Sequence, residues 1–106
     1  MASTKTIVVK IGTSSLTDER GVIFGSVITD TCAQVASLRA DGHRVLVVTS
    51  GAVSVGVAAL GLVVRPTDMS TLQALSAVGQ SRLMRVYDDV LASLDLIGAH
   101  ADIVGA

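Results

Sequence analysis

Two short runs of largely β-branched residues, Thr6-Ile7-Val8-Val9-Lys10-Ile11 and Val45-Leu46-Val47-Val48-Thr49, bracket a segment with helical spacing, and this restricts the fold of the 106-residue chain more than any other feature. Runs this short and apolar read as buried strands of the kind found in parallel sheets. Between them Val27, Ile28, Thr31, Val35 and Leu38 fall on one helical face, with Asp30, Gln34 and Arg39 elsewhere. Ser26 reads as the N-cap and Asp41-Gly42 as the stop. Strand, helix, strand at this separation is a βαβ unit, so the two strands should be parallel neighbours.

The remaining segments extend the pattern. Leu16 to Phe24 contains Asp18-Glu19-Arg20-Gly21, a turn-prone excursion expected at the surface. Ser50-Gly51-Ala52 turns the second run into a small-residue helix reaching about Leu60, which Gly61 ends. Pro66-Thr67-Asp68 opens another helix, with Asp68 or Thr67 as cap and apolar positions from Leu72 through Leu94; Gly79 reads as a weak point or kink in it. Residues 96–104 read as a third strand or a frayed end. The expected architecture is a single small α/β domain with an open, mainly parallel sheet that needs helical cover on both faces.

Composition narrows the function classes. Half of the residues are hydrophobic but only 2% are aromatic, so the core is aliphatic. No apolar stretch reaches the ~18–20 residues of a membrane span, and the N-terminus lacks a secretory pattern; a cytoplasmic protein without a membrane partner is expected. Net charge is −1 with neither sign clustered, and one Tyr, one Phe and no Trp offer little for base stacking, so no nucleic-acid partner is expected. Cys32, the only cysteine, reads as a small core residue, and no Cys/His spacing indicates a metal site.

In open parallel sheets ligands bind at the carboxyl ends of strands. This chain has two such ends, Gly12-Thr13-Ser14 and Ser50-Gly51-Ala52. Glycine admits an oxyanion close to backbone N–H groups, and a following helix N-terminus favours negative charge. Lys10 adds a full charge at the end of an otherwise apolar strand, where a phosphate would satisfy it. The plainer alternatives are that Lys10 snorkels to water and that Ser50 is an ordinary N-cap. Neither a Walker loop nor Gly-x-Gly-x-x-Gly is present.

At these same residues the sequence resembles the amino-acid kinase family, and within it the glutamate 5-kinases. Val8 to Thr17 is similar to their opening strand and phosphate loop, and Gly42-His43-Arg44-Val45 through Val48-Thr49-Ser50-Gly51-Ala52-Val53 to their second strand and substrate loop. Gln73-Ala74 to Ala77-Val78-Gly79-Gln80-Ser81-Arg82-Leu83-Met84 resembles a helix signature that Tyr87-Asp88-Asp89 continues. The resemblance covers nearly all of residues 5–95. It implies the N-terminal part of a three-layer αβα kinase fold, making 1–106 a partial domain. It also implies ATP-dependent phosphorylation of the L-glutamate γ-carboxylate, the first step of proline synthesis, with Mg²⁺, feedback inhibition by proline and a homo-oligomer. Carried over, Lys10 is the lysine on the transferred phosphate, and Gly12 and Thr13 belong to the phosphate loop. Ser50, with Gly51 and Ala52, contacts substrate.

The family's acidic residue and Asn-Asp pair, its Thr-Asp nucleotide motif and its Gly-rich segment with a second lysine are not in this sequence, and His100 to Ala106 departs from the family pattern. The resemblance therefore implies a front segment inactive by itself. The alternatives are a relative acting on aspartate, acetylglutamate or uridylate, and a non-catalytic binding or oligomerisation module.

Overall fold

A computed structural model describes residues 4–94 and 102–105. β1 (Thr6–Ile11) runs into a one-turn helix α1 (Thr13–Leu16), followed by α2 (Gly25–Ala40), β2 (Arg44–Thr49), α3 (Ala52–Ala59), α4 (Met69–Ser93) and β3 (Asp102–Gly105). The strands form one parallel sheet in the order β1-β2-β3, with Thr6 beside Arg44, Ile11 beside Thr49 and Thr49 beside Gly105. The βαβ unit read from the sequence is present, and the third strand is real over 102–105. Residues 95–101, which hold the start of that expected segment, lie outside the described residues.

Local chemistry explains most boundaries. Gly42 takes a left-handed φ of +88°, and its N–H donates to the Arg39 carbonyl, closing α2 where Asp41-Gly42 was expected to stop it. The start of α2 differs from expectation: Phe24, not Ser26, is the N-cap, and no side chain caps it. Asp68 caps α4, its carboxylate accepting from the Thr71 N–H at 2.9 Å and from the Thr71 hydroxyl. Those two donors hold the Asp68 carboxyl below its ordinary value.

Paired residues of a parallel sheet point to the same face. On one face Val9, Ile11, Val45, Val47 and Ile103 pack with Ile28, Cys32 and Val35 of α2 and with Leu83 and Tyr87 of α4 in one hydrophobic cluster. Cys32 is buried there, and desolvation raises its thiol pKa, which keeps it protonated and inert. The other face carries Thr6, Val8, Lys10, Leu46, Val48 and Val104, and no described helix covers it: Val8 is 59% exposed and Val104 49%. The expectation that β1 is wholly buried is therefore corrected. It is half-buried, because α2 and α4 both lie on the same side.

A bare apolar sheet face with open edge strands is an association surface. The isolated chain is expected to self-associate with rising concentration in sedimentation velocity; a monomer with a sharp two-state unfolding transition at every concentration would contradict this.

Gly79 does not interrupt α4, which runs unbroken for 25 residues. It is where α4 touches α3. A Cβ built on Gly79 would lie 1.6 Å from the Ala52 carbonyl oxygen, and one on Gly56 would lie 2.1 Å from that of Leu75. The two helices approach backbone to backbone. This seats the start of α3 beside the carboxyl end of the sheet.

Candidate functional site

The end of β1 and the end of β2 meet. The Ser50 N–H donates to the Ile11 carbonyl at 3.0 Å, prolonging the sheet by one bond past β2. Gly51 then turns the chain with φ +95°, a left-handed conformation that glycine adopts without strain. A Cβ there would lie 3.5 Å from Thr13 Cγ2 and 3.6 Å from Thr17 Cγ2, so the first loop lies directly against the second. Thr13, Ser50, Gly51 and Ala52 line a common cavity of about 250 Å³, together with Val53, Ser54, Arg65 and Ser76.

Each expected site residue has a definite place. Ser50 is half-buried, and the N-cap of α3 is Gly51 with no side-chain cap. The plain reading of Ser50 as a capping serine is thus corrected, and its hydroxyl is not spent on the helix. Ala52 is the first residue of α3 and is buried.

Gly12 has an ordinary extended backbone (φ −78°), and nothing lies within 4 Å of a Cβ placed on it. Neither conformation nor packing demands glycine at this position. What glycine leaves is open space beside the start of a helical turn. The polar loop expected after Gly12 is this turn: α1 begins at Thr13 and the Ser15 N–H donates to the Gly12 carbonyl at 3.2 Å.

Lys10 is exposed on the uncovered face, in register with Val48, and it does not line the cavity. The burial cost expected of a lysine inside a buried strand does not arise. Its four-carbon stem starts one residue before the β1 end, within reach of the sheet edge.

Arg65 and Ser76 are cavity residues that sequence reading missed. Arg65 stands in the connection between α3 and α4, and Ser76 sits on α4 one turn before Gly79. Their convergence depends on the close approach of the two helices, which spacing does not reveal. The cavity therefore offers four hydroxyls that are not helix caps (Thr13, Ser50, Ser54, Ser76), the α3 N-terminus and one guanidinium. This set suits an oxyanion. No acidic side chain lines it, so Mg²⁺ finds no carboxylate ligand among these residues.

A deeper contact holds the floor. The Tyr87 hydroxyl donates to Thr49 Oγ1 at 3.3 Å, with both side chains almost fully buried. It ties α4 to the residue immediately before Ser50. Burial raises the Tyr87 pKa, so the phenol stays neutral and able to donate.

Comparison with known proteins identifies the family. The profile of the family described as "Amino acid kinase family" matches residues 5–106. The chain is 54% identical over 92 residues to a protein from Nostoc punctiforme named glutamate 5-kinase, which covers 86% of this chain and 25% of the relative. It is 54% identical over 91 residues to the glutamate 5-kinase of Microcystis aeruginosa (85% and 24%). To that of a Synechocystis species it is 50% identical over 91 residues (85% and 24%). The chain thus spans about a quarter of the length of these relatives. Among the described residues no helix is long and apolar enough to cross a membrane.

Proposed function

This chain belongs to the amino acid kinase family, and on that premise we propose that it supplies the phosphate-loop and substrate-loop part of a glutamate 5-kinase. The observation carrying this reading is the convergence of the two strand-end loops, Thr13 against Gly51, around a Ser50 hydroxyl that caps no helix. The names of its relatives support glutamate as acceptor, and membership of a kinase family supports ATP as donor.

In the proposed reaction an oxygen of the glutamate γ-carboxylate attacks the γ-phosphorus of ATP. The bond from that phosphorus to the β,γ-bridging oxygen breaks, and ADP departs with the electron pair. Such a transfer needs charge stabilisation and alignment more than covalent help. Ser50, with the backbone of Gly51 and Ala52 at the α3 N-terminus, holds the acceptor carboxylate. The open backbone at Gly12 and Thr13 receives the phosphate oxygens. Lys10 brings its ammonium over the sheet edge to the transferred group, where a flexible point charge can follow the moving phosphoryl. Mg²⁺, which neutralises charge on the phosphates when bound, takes its ligands from outside the cavity-lining residues. Feedback inhibition by proline, a homo-oligomeric state and a cytoplasmic location complete the proposal.

A chimera tests it. This chain replaces the matching quarter of the Nostoc punctiforme relative, and hydroxylamine traps any acyl phosphate. The expected result is ATP-dependent hydroxamate from L-glutamate well above that from L-aspartate or N-acetyl-L-glutamate, and none from the 106-residue chain alone. A folded chimera that prefers aspartate or acetylglutamate would refute the glutamate assignment.

A further inference from the structure

Four of the chain's six arginines border one cleft that adjoins the proposed active site at Ser54 and Arg65 and runs away from it along α3. The cleft runs along α3, between that helix, the 19–23 turn and the middle of α4. One part, about 630 Å³, is bordered by Arg82 and Arg85; the adjoining part, about 610 Å³, is bordered by Arg20 and Arg65. The two parts share Gly21, Val22 and Ala58, and among the described residues Glu19 is the only acidic one along either. In a chain of net charge −1 this is a local concentration of positive charge.

The turn that walls the cleft is held in place. Asp18 Oδ1 accepts from the Arg20 and Val22 N–H groups at 2.8 and 2.9 Å, and a Cβ on Gly21 would lie 2.0 Å from the Ser54 carbonyl oxygen. The excursion expected at the surface lies there, with Glu19, Arg20 and Val22 exposed, and it is docked on α3 through the buried Gly21. Arg82 and Arg85 stand three residues apart on α4, a spacing that puts them on one helix face. Neither side chain makes a hydrogen bond or ion pair among the described residues. Beside them Ile23, Val55 and Val86 supply an aliphatic wall, and Ser81 a hydroxyl.

Paired guanidiniums match oxyanions in a planar, two-pronged geometry. Pockets for small ligands combine an apolar lining with a few such polar groups. We propose that this cleft is a second ligand site, which takes a small oxyanion on a short aliphatic body. Arg82 and Arg85 grip the carboxylate or phosphate head, and the body lies along Ile23, Val55 and Val86. Arg82, Arg85 and the aliphatic wall share no residue with the proposed kinase site, which meets this cleft only at Ser54 and Arg65 in its other part.

Equilibrium dialysis of this chain with hexanoate, n-butyl phosphate and inorganic phosphate tests the proposal at constant ionic strength. Hydrogen exchange locates any protection. Saturable binding is expected for at least one of the two alkyl probes, and whichever binds tighter identifies the head group. That probe should bind about tenfold or more tighter than inorganic phosphate, because its chain leaves water. Protection should fall on residues 20–23 and 81–86. Arg82→Gln/Arg85→Gln should weaken binding about tenfold or more, whereas Lys5→Gln, which removes a charge elsewhere, should not. Circular dichroism establishes that the variants are folded, and Arg82→Lys/Arg85→Lys, which keeps charge but loses the planar fork, should fall between. Binding unchanged in Arg82→Gln/Arg85→Gln, protection confined to residues 13 and 50–54, or no saturable binding of either alkyl probe would overturn the proposal.

Discussion

Gly79→Ala is expected to destroy cooperative folding of this chain, although the change adds one methyl group and raises helix propensity. The added carbon would lie 1.6 Å from the Ala52 carbonyl oxygen, 2.6 Å from its carbonyl carbon and 2.9 Å from the Gly56 nitrogen. All three are backbone atoms in the first turns of α3, so no side chain can swing aside to make room. Relief requires α3 and α4 to separate, and separation uncovers Val55 and Leu75, which are 3% and 1% exposed. Overpacking in a core costs about 1–3 kcal/mol. A backbone clash at a helix crossing belongs above that, at roughly 4 kcal/mol or more, among the largest single-residue effects. Gly25→Ala, in the first turn of α2 with nothing within 4 Å of its Cβ, is the matched control and should be neutral or mildly stabilising. Urea unfolding followed by circular dichroism reads both. A Gly79→Ala chain within about 1 kcal/mol of the parent would mean that the helix contact is looser than described. The same clash would reach the candidate site, because Ala52 follows Ser50 and Gly51 directly.

Much of this fold was legible because two periodicities are written plainly. The β-branched runs at 6–11 and 45–49 and the helical spacing from Val27 to Leu38 specify a βαβ unit, and the structure contains it. The Asp68 cap and the Asp41-Gly42 stop were legible because their chemistry is local. What stayed hidden depended on partners distant in sequence. Spacing cannot tell a kink glycine from a contact glycine, since the difference lies in the α3 backbone that Gly79 meets. An apolar strand reads the same whether one face or two are covered, and Val8 shows that one is not. Tyr87, taken only as part of a signature, is a core residue whose hydroxyl bonds Thr49 across the chain.

The candidate site divides in the same way. Thr13, Ser50, Gly51 and Ala52 were found because both strands end in small, polar loops, and parallel pairing brings such ends together. Arg65 and Ser76 arrive through the packing of α4 on α3, and nothing local marks them. Ser26 was named as a cap by its residue type, yet the chain turns into α2 one residue before Gly25, leaving Ser26 inside the first turn.

Lys10 carries the greatest weight in the functional account and has the least local support, being exposed and outside the cavity lining. Its proposed contribution is confined to the transition state, where negative charge spreads over the transferred phosphoryl oxygens. Removing such a preorganised charge costs about 10²–10³ in kcat. Glutamate KM should move little, because the acceptor is held by Ser50 and the α3 N-terminus. A lysine that merely snorkels to water predicts no effect on either constant.

The decisive measurement is the steady-state rate of glutamate hydroxamate formation by the chimera, with and without Lys10→Ala. Loss of about two to three orders of magnitude in kcat with glutamate KM nearly unchanged is the expected result. A Lys10→Ala chimera that turns over at the parent rate would contradict the account at its centre.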